Sequence, residues 1–472
     1  MLLSGDWVLP VSSSPIAEGA VLVADGAIAA VGNAALLKAR YAPEEVCEFP
    51  GCAILPGFVN VHTHLDYSAF RGFAPPSGFS RWILRLLLAR KKLRAEDLAA
   101  SALWGAHESL RNGVTSIGDT SYDGVTVAQA VQAAGLRARV YLEVFGLDDT
   151  QLSMTMRRLE ASLARVGLDG GTASRAGDGI ETLLEWGISP HAPYTCSQRL
   201  YSEAARLARE TGLRLATHVA ESGSEVRLLS GRLTTLALAY RATHLWTGRR
   251  WKPPRTTPVR YVADAGALGP ATLAVHAVQV NKDDIDTLAG SGTAVAHCPR
   301  SNIWLRCGIA PVAKLKAAGV VVGLGTDSLA SNDSLDVLAE MRAAQHMSRV
   351  SEVPETGLRP ASILRMATLD GARALGWGHL VGSLEVGKRA DIVVARLRDD
   401  ELSARVTSNG GAGPESLEPD QVDPKDVLAE AVMKAEVQMT MVDGRIVYRG
   451  GGIPAEVVHG LKAARARLGL GD

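Results

Sequence analysis

The apolar positions of the chain fall into short runs separated by longer stretches with helical spacing. Val21–Val23, Asp25-Gly26 and Ile28–Val31 read as two strands joined by a tight turn. The same pattern returns near the other end at Gln438–Val442, Asp443-Gly444 and Ile446–Tyr448, with one more apolar run at Ala390–Ala395. Between them, β-branched or apolar runs occur at Phe58–Val61, Val114–Ile117, Ala138–Val144, Leu183–Ile188, Leu213–Thr217, Leu273–Val275, Ala294–Ala296 and Val320–Leu324. Stretches such as Leu98–Leu110, Gln198–Glu210 and Leu335–Met347 carry the helical period between them. Eight strands alternating with helices predict an α/β fold, a (β/α)8 TIM barrel. The flanking strands predict a small β-sandwich domain formed by both chain ends. The expected division is 1–55 with 380–472 for the composite domain and 56–379 for the barrel.

Two segments depart from this rhythm. Leu229–Pro270 is a long insertion after the fifth strand, holding Trp246, Trp251 and Pro253-Pro254. Its length and position suggest a flap over the open barrel end, with an indole near a substrate's tail, against the simpler reading of a surface ornament. Arg398–Pro424 is polar and rich in Gly, Pro and Asp, the composition of a mobile surface loop.

Composition narrows the class. The 472 residues carry 50 Lys plus Arg and 50 Asp plus Glu, which argues against nucleic acid or an anionic membrane as a bulk partner. No apolar run approaches the roughly 20 residues of a membrane span. Met1–Pro10 lacks the basic and apolar regions of a secretory signal. Five irregularly spaced cysteines make no disulfide framework and point to a reducing, cytoplasmic setting. The sequence leaves homo-oligomer formation open.

The chemistry lies at the predicted strand ends, where a barrel of this kind presents its reactive groups. His62 and His64 end the first strand, His191 the fourth, His218 the fifth, His276 the sixth, His297 the seventh and Asp327 the eighth. A lone histidine is more often a satisfied core residue than a ligand. Six of the chain's 11 histidines at strand ends are poorly explained that way. Imidazoles with a carboxylate suit one zinc or iron(II) ion with a position left for water.

These residues lie in recognisable strings. Pro56-Gly57-Phe58-Val59-Asn60-Val61-His62-Thr63-His64-Leu65 resembles the opening motif of the amidohydrolase superfamily, and Thr217-His218-Val219-Ala220-Glu221-Ser222 its H-x-x-E signature. His276, His297-Cys298-Pro299-Arg300-Ser301-Asn302 and Gly325-Thr326-Asp327-Ser328 follow in the family's order. The fourth strand ends in His191-Ala192-Pro193-Tyr194-Thr195, without the lysine that bridges two metals in binuclear members, which resembles the mononuclear deaminase branch.

The resemblance implies a ligand set of His62, His64, His218 and Asp327 for one divalent ion, Zn2+ or Fe2+. It implies that Glu221, His276 and Asp327 are catalytic, with Glu221 passing protons to the substrate ring and the leaving group. His191 would contact the sugar or ring, and His297 is read as a brace for the seventh loop. The implied activity is that of a C–N hydrolase acting on cyclic amidines, with a small nucleoside as substrate. Cys307–Pro311, Thr326–Asn332, Asp66 and the Trp/Pro-rich insertion look most like the aminodeoxyfutalosine deaminase group of menaquinone biosynthesis. Asp66, Arg71, Ser331 and Trp246 become candidate substrate contacts, with Arg71, Arg81 and Arg85 as candidate cations for a benzoate tail. Methylthioadenosine/adenosylhomocysteine deamination and triazine-type chlorohydrolysis or amide hydrolysis are the enzymatic alternatives. A metal-binding scaffold protein is the non-enzymatic one.

Overall fold

The computed structural model describes residues 1–167, 183–232, 234–237, 252–351, 357–398 and 423–471. All eight barrel strands occur where the apolar runs predict them. They are Phe58–Thr63, Val114–Ser121, Arg137–Val144, Leu184–Pro190, Arg214–Val219, Thr272–His276, Ala294–His297 and Val322–Leu324. They stand in chain order in one sheet. The pairings from the third strand onward are parallel. A parallel bridge between Thr63 and Asp327 joins the first strand to the chain just beyond the last. The first two strands are buried along their whole length, as expected of parallel strands covered on both faces.

The intervening helices carry the end signals that their sequences promise. Ser197 caps Gln198–Thr211 by accepting the Leu200 N–H, and Gly212 closes it at φ 70°. Asn281 and Asp284 form a capping box on Lys282–Ser291. The helix Phe79–Arg90 buries Phe79, Trp82, Ile83, Leu86 and Ala89 along one stripe. The Trp82 indole N–H donates to the Ala330 carbonyl at 2.7 Å, tying this helix to the loop after the eighth strand.

The two chain ends interleave in a second sheet. Its order is Arg445–Arg449, Glu436–Val442, Ile392–Arg396, Val46–Pro56, Leu2–Val8, Gly19–Ala24 and Ala27–Asn33, with Ile16–Ala17 paired to Leu2–Val8. Alternation along the strands divides the apolar side chains. Leu3, Val21, Val23, Ile54, Ile392, Val394 and Met441 share one core. Leu2, Ala20, Leu22 and Ala30 pack with Leu37 of the helix Ala34–Tyr41 in another.

Contacts divide the chain into two compact units, residues 1–60, 108–116 and 336–452, and residues 61–107, 117–335 and 453–472. Trp246 and Trp251, and residues 399–422 of the polar loop, lie outside the described residues. All five cysteines are buried thiols. Among the described residues no helix is long and apolar enough to cross a membrane.

Candidate functional site

Three imidazoles meet at one end of the barrel. The rings of His62 and His64 lie 4.8 Å apart, those of His62 and His218 4.9 Å, and those of His64 and His218 5.6 Å. One ligand nitrogen from each falls within 4.8 Å of the others. Asp327 Oδ1 stands 3.6 Å from His62 Nε2 and 3.7 Å from His64 Nε2.

The surroundings fix how each group is presented. His218 Nδ1 donates to the His191 carbonyl at 3.1 Å, leaving Nε2 as its one open nitrogen. Asp327 Oδ2 accepts from Ser301 Oγ at 2.5 Å and Ser331 Oγ at 2.8 Å, which turns Oδ1 toward the histidines. Burial pushes His62 down to about 4 and His218 well below the ordinary histidine range. Burial alone would raise the Asp327 carboxyl, but His62, His276 and His64 override it and hold the group well below the usual carboxylate range. Neutral imidazoles beside an ionised carboxylate form a donor set that fits a divalent ion. His62 Nε2 is buried with no hydrogen-bond partner, a cost that a metal bond would remove.

Glu221 and His276 face each other next to this group, with Glu221 Oε1 3.7 Å from His276 Nε2. His276 Nδ1 lies 3.0 Å from Asn302 Oδ1, so that nitrogen carries the proton and Nε2 presents a lone pair. Burial, then the Asp327 and Glu225 carboxylates, push Glu221 well above the usual carboxylate range. The backbone here is strained, with φ of 53° at Ala220, 76° at His276, 46° at Ala277 and 57° at Asp327. Glu225 holds part of it. Its carboxylate accepts the N–H groups of Ala220 at 3.1 Å and Glu221 at 2.8 Å. Sequence reasoning passed over Glu225, although Ser222-Gly223-Ser224-Glu225 is a legible S-x-x-E signal.

A cavity of about 610 Å³ opens onto these groups, lined by His64, His191, His218, Glu221, His276 and Asp327. Its other walls come from Phe79, Trp82, Ile83 and Leu86, from Tyr122, Glu143 and Phe145, and from Arg90 and Arg158.

Several of the expected contacts stand outside the cavity lining. Asp66 is buried off the cavity, with its Oδ2 bonded by Ser121 Oγ at 3.3 Å. The 3-10 turn Leu65–Phe70 begins directly after His64 and carries it away. Ser331 serves Asp327 and does not line the cavity. Arg71 is also absent from the lining, its guanidinium lying 4.6 Å from the centre of the Trp104 ring. Arg81 and Arg85 fall on the exposed face of their helix. Arg90, four residues beyond Leu86 and seven beyond Ile83, reaches the cavity instead. His297 is buried outside the lining and pushed down to about 3 by burial. Trp246 lies outside the described residues.

Residues 53–447 match the model of the amidohydrolase family. The chain belongs to that family. As an amidohydrolase it is a hydrolytic enzyme, and full-length relatives are similar to it. A 5'-deoxyadenosine deaminase of Methanothermobacter thermautotrophicus is 34% identical, over 96% of this chain and 93% of the relative. A 5-methylthioadenosine/S-adenosylhomocysteine deaminase of Moorella thermoacetica is 32% identical, over 96% of this chain and 94% of the relative. Among solved structures, a zinc-bound adenosine deaminase of Xanthomonas campestris superposes on this amidohydrolase with a TM-score of 0.78. That match has 26% identity and covers 99% of this chain and 98% of the other.

Proposed function

We propose that this amidohydrolase removes the 6-amino group of an adenine nucleoside by hydrolysis, using one divalent ion, Zn2+ or Fe2+, held by His62, His64, His218 and Asp327. The observation that carries the reading is the pairing of that donor set with a buried Glu221 of raised pKa. The cavity at the site has room for a nucleoside. The names of the full-length relatives support a C–N hydrolase of cyclic amidines acting on 5′-modified adenosines.

The ion, when bound, lowers the pKa of a water and makes a nucleophile available near neutral pH. His276 orients that water through its Nε2 lone pair and accepts its proton. Glu221, kept protonated by burial, gives its proton to the ring nitrogen beside the attacked carbon as the new C–O bond forms. The resulting carboxylate takes the remaining hydroxyl proton and delivers it to the amino group. The C–N bond then breaks, giving ammonia and the 6-oxo purine, and the proton held by His276 returns to Glu221, 3.7 Å away, to restore both groups. Ser301 and Ser331 act on Asp327, and Asn302 on His276, by fixing which atom faces the reaction.

A narrower reading places 6-amino-6-deoxyfutalosine as the substrate. Arg90 and Arg158 in the cavity lining suit its tail carboxylate, which needs a cation when it leaves water, and would serve the carboxylate of adenosylhomocysteine equally. Ammonia release measured side by side on 5'-deoxyadenosine, methylthioadenosine, adenosylhomocysteine and 6-amino-6-deoxyfutalosine tests both levels. Preference for a competitor by about tenfold or more removes the narrower reading. Silence on all four by protein carrying its full complement of metal removes the deaminase reading. Release of chloride from a chlorotriazine by that same protein would put chlorohydrolysis in its place.

A further inference from the structure

The cavity wall also holds a pair of groups that the deamination step does not use. Glu143, at the end of the third barrel strand, has a side chain only 9% exposed, and that of His191 is 14% exposed. Both line the cavity. Their facing atoms, Glu143 Oε1 and His191 Nε2, stand 3.9 Å apart, too far to bond each other. Glu143 Oε1 is buried with no hydrogen-bond partner at all.

The histidine's tautomer follows from its other side. Thr195 Oγ1 donates to the Ala192 carbonyl at 3.1 Å, so the contact at 2.7 Å between Thr195 Oγ1 and His191 Nδ1 is donated by the imidazole. His191 Nε2 is therefore a lone pair. Phe145 stacks on the ring at 4.7 Å and keeps that lone pair aimed. Burial, helped by Asp66, pushes the Glu143 carboxyl up to about 8, so alone it holds a proton near neutral pH, and a ligand that donates to it stabilises its ionised, accepting form. Two adjoining acceptors in one wall call for a ligand that brings two donors. A vicinal diol does so with its two hydroxyls. An ammonium group would meet the Arg90 cation in the lining of this cavity.

We infer that Glu143 and His191 together bind the 2′,3′-diol of a ribonucleoside, and that Glu143 sets the preference for ribose over deoxyribose. This rests on the nucleoside reading above and deepens it. A second ion on Glu143, His191 and His218 is the competing use of the same groups. His218 has one open nitrogen, and that nitrogen already faces His62 and His64.

The test compares kcat/KM for 5'-deoxyadenosine, 2′,5′-dideoxyadenosine and 3′,5′-dideoxyadenosine, by ammonia release, in wild type, Glu143→Gln and Glu143→Leu. Each ratio of substrates is taken within one preparation, so a variant's folded fraction cancels. Wild type should disfavour at least one dideoxy nucleoside by about ten- to a hundredfold, the usual penalty for a buried acceptor left unpaired. Glu143→Leu should bring that ratio close to one. Glu143→Gln, which retains one acceptor oxygen, should fall between. A wild-type ratio near one, or a ratio unchanged in Glu143→Leu, overturns the assignment while leaving the deaminase standing. Failure of wild type with its full metal content to deaminate any of these three or any of the four nucleosides named above removes the deaminase reading, and this assignment with it.

Discussion

In the sheet built from the chain ends, two Asp-Gly pairs adopt the left-handed backbone. They are Asp25-Gly26 at φ 50° and 74°, and Asp443-Gly444 at 54° and 77°. Both pairs are hairpin turns whose residue types suit that conformation. At the barrel rim the same conformation falls on Ala220, His276, Ala277 and Asp327, of which the two alanines have no side-chain reason to adopt it. Their strain is held by other contacts. Glu225 bonds the N–H groups of Ala220 and Glu221. The Ala220 carbonyl accepts from Val278 and Gln279 at 3.0 and 2.7 Å, and the Asp327 N–H donates to the His62 carbonyl at 3.0 Å. In the sheet, local preference and fold agree. At the rim, long-range contacts impose a backbone that local preference opposes, and the side chains so displayed are those proposed to do the chemistry.

The sharpest test of that contrast removes the rim's donors. His62→Ala combined with His64→Ala should lose the ion, with turnover falling to background, while a change in the sheet such as Gly444→Ala keeps both. Elemental analysis of the purified proteins is the measurement, and one ion per chain retained by the double variant would end the ligand assignment. Next in size, Glu221→Gln preserves shape and should retain the metal, yet lower kcat on the order of 10²-fold or more, because an amide cannot pass a proton. Turnover like that of wild type would mean another group carries the proton.

The contrast also governs what the sequence made legible. The eight strands are readable because buried parallel strands leave short apolar runs between helical patterns, and the rim histidines because each lies within three residues of the end of such a run. The hairpins are readable because Asp-Gly encodes its own backbone. Asp66 is near His64 in sequence but stands outside the cavity lining, because the 3-10 turn after His64 separates the two. Ser331 stood in the right loop, but its hydroxyl is spent on Asp327, a contact across strand ends that no local pattern carries. Arg90 was within reach of periodicity. The stripe of Trp82, Ile83 and Leu86 marks the inward face of its helix and sets Arg81 and Arg85 outside. Glu143 gave no signal of its own, since its meaning depends on the tautomer that Thr195 imposes on His191.

Glu225 sharpens the comparison as a brace with no part in the chemistry. Glu225→Ala leaves two buried N–H groups without an acceptor, at a cost of about 1–3 kcal/mol each. It should lower kcat roughly ten- to a hundredfold by displacing Glu221, with metal content unchanged. A pH signature accompanies it. Burial raises the folded carboxyl from 4.5 to about 7, against backbone hydrogen bonds that lower it. Between those values the folded chain keeps a proton that the unfolded chain has released. This contribution to stability is therefore complete below 4.5 and is lost as pH rises through 7. Glu225→Gln removes the titration while costing one acceptor. Its stability deficit relative to wild type should shrink between about pH 5 and 8 in denaturant titrations. A deficit that stays constant over that range would mean the buried group is ionised throughout.

The smallest effects come from exchanging alanine and glycine at left-handed positions of the two regions. In the sheet, Gly444 has φ 77°, and an added Cβ would meet Gly26 Cα at 2.5 Å. Gly444→Ala should therefore cost about 1–3 kcal/mol, from left-handed strain and the clash, and leave kcat unchanged. At the rim the exchange runs the other way. Ala277→Gly relieves strain of roughly 1–2 kcal/mol but gives the unfolded chain about 0.5–1 kcal/mol of added freedom, so the net change should lie within about 1 kcal/mol of zero. Its effect should appear in kcat. Ala277 follows His276 and fixes the strand end that aims Nε2, so a more permissive residue there should slow turnover a few-fold at nearly constant Tm. If Ala277→Gly destabilises the enzyme as much as Gly444→Ala does, the rim backbone is not held against its preference, and the proposed division between self-encoded and imposed conformation fails at that position.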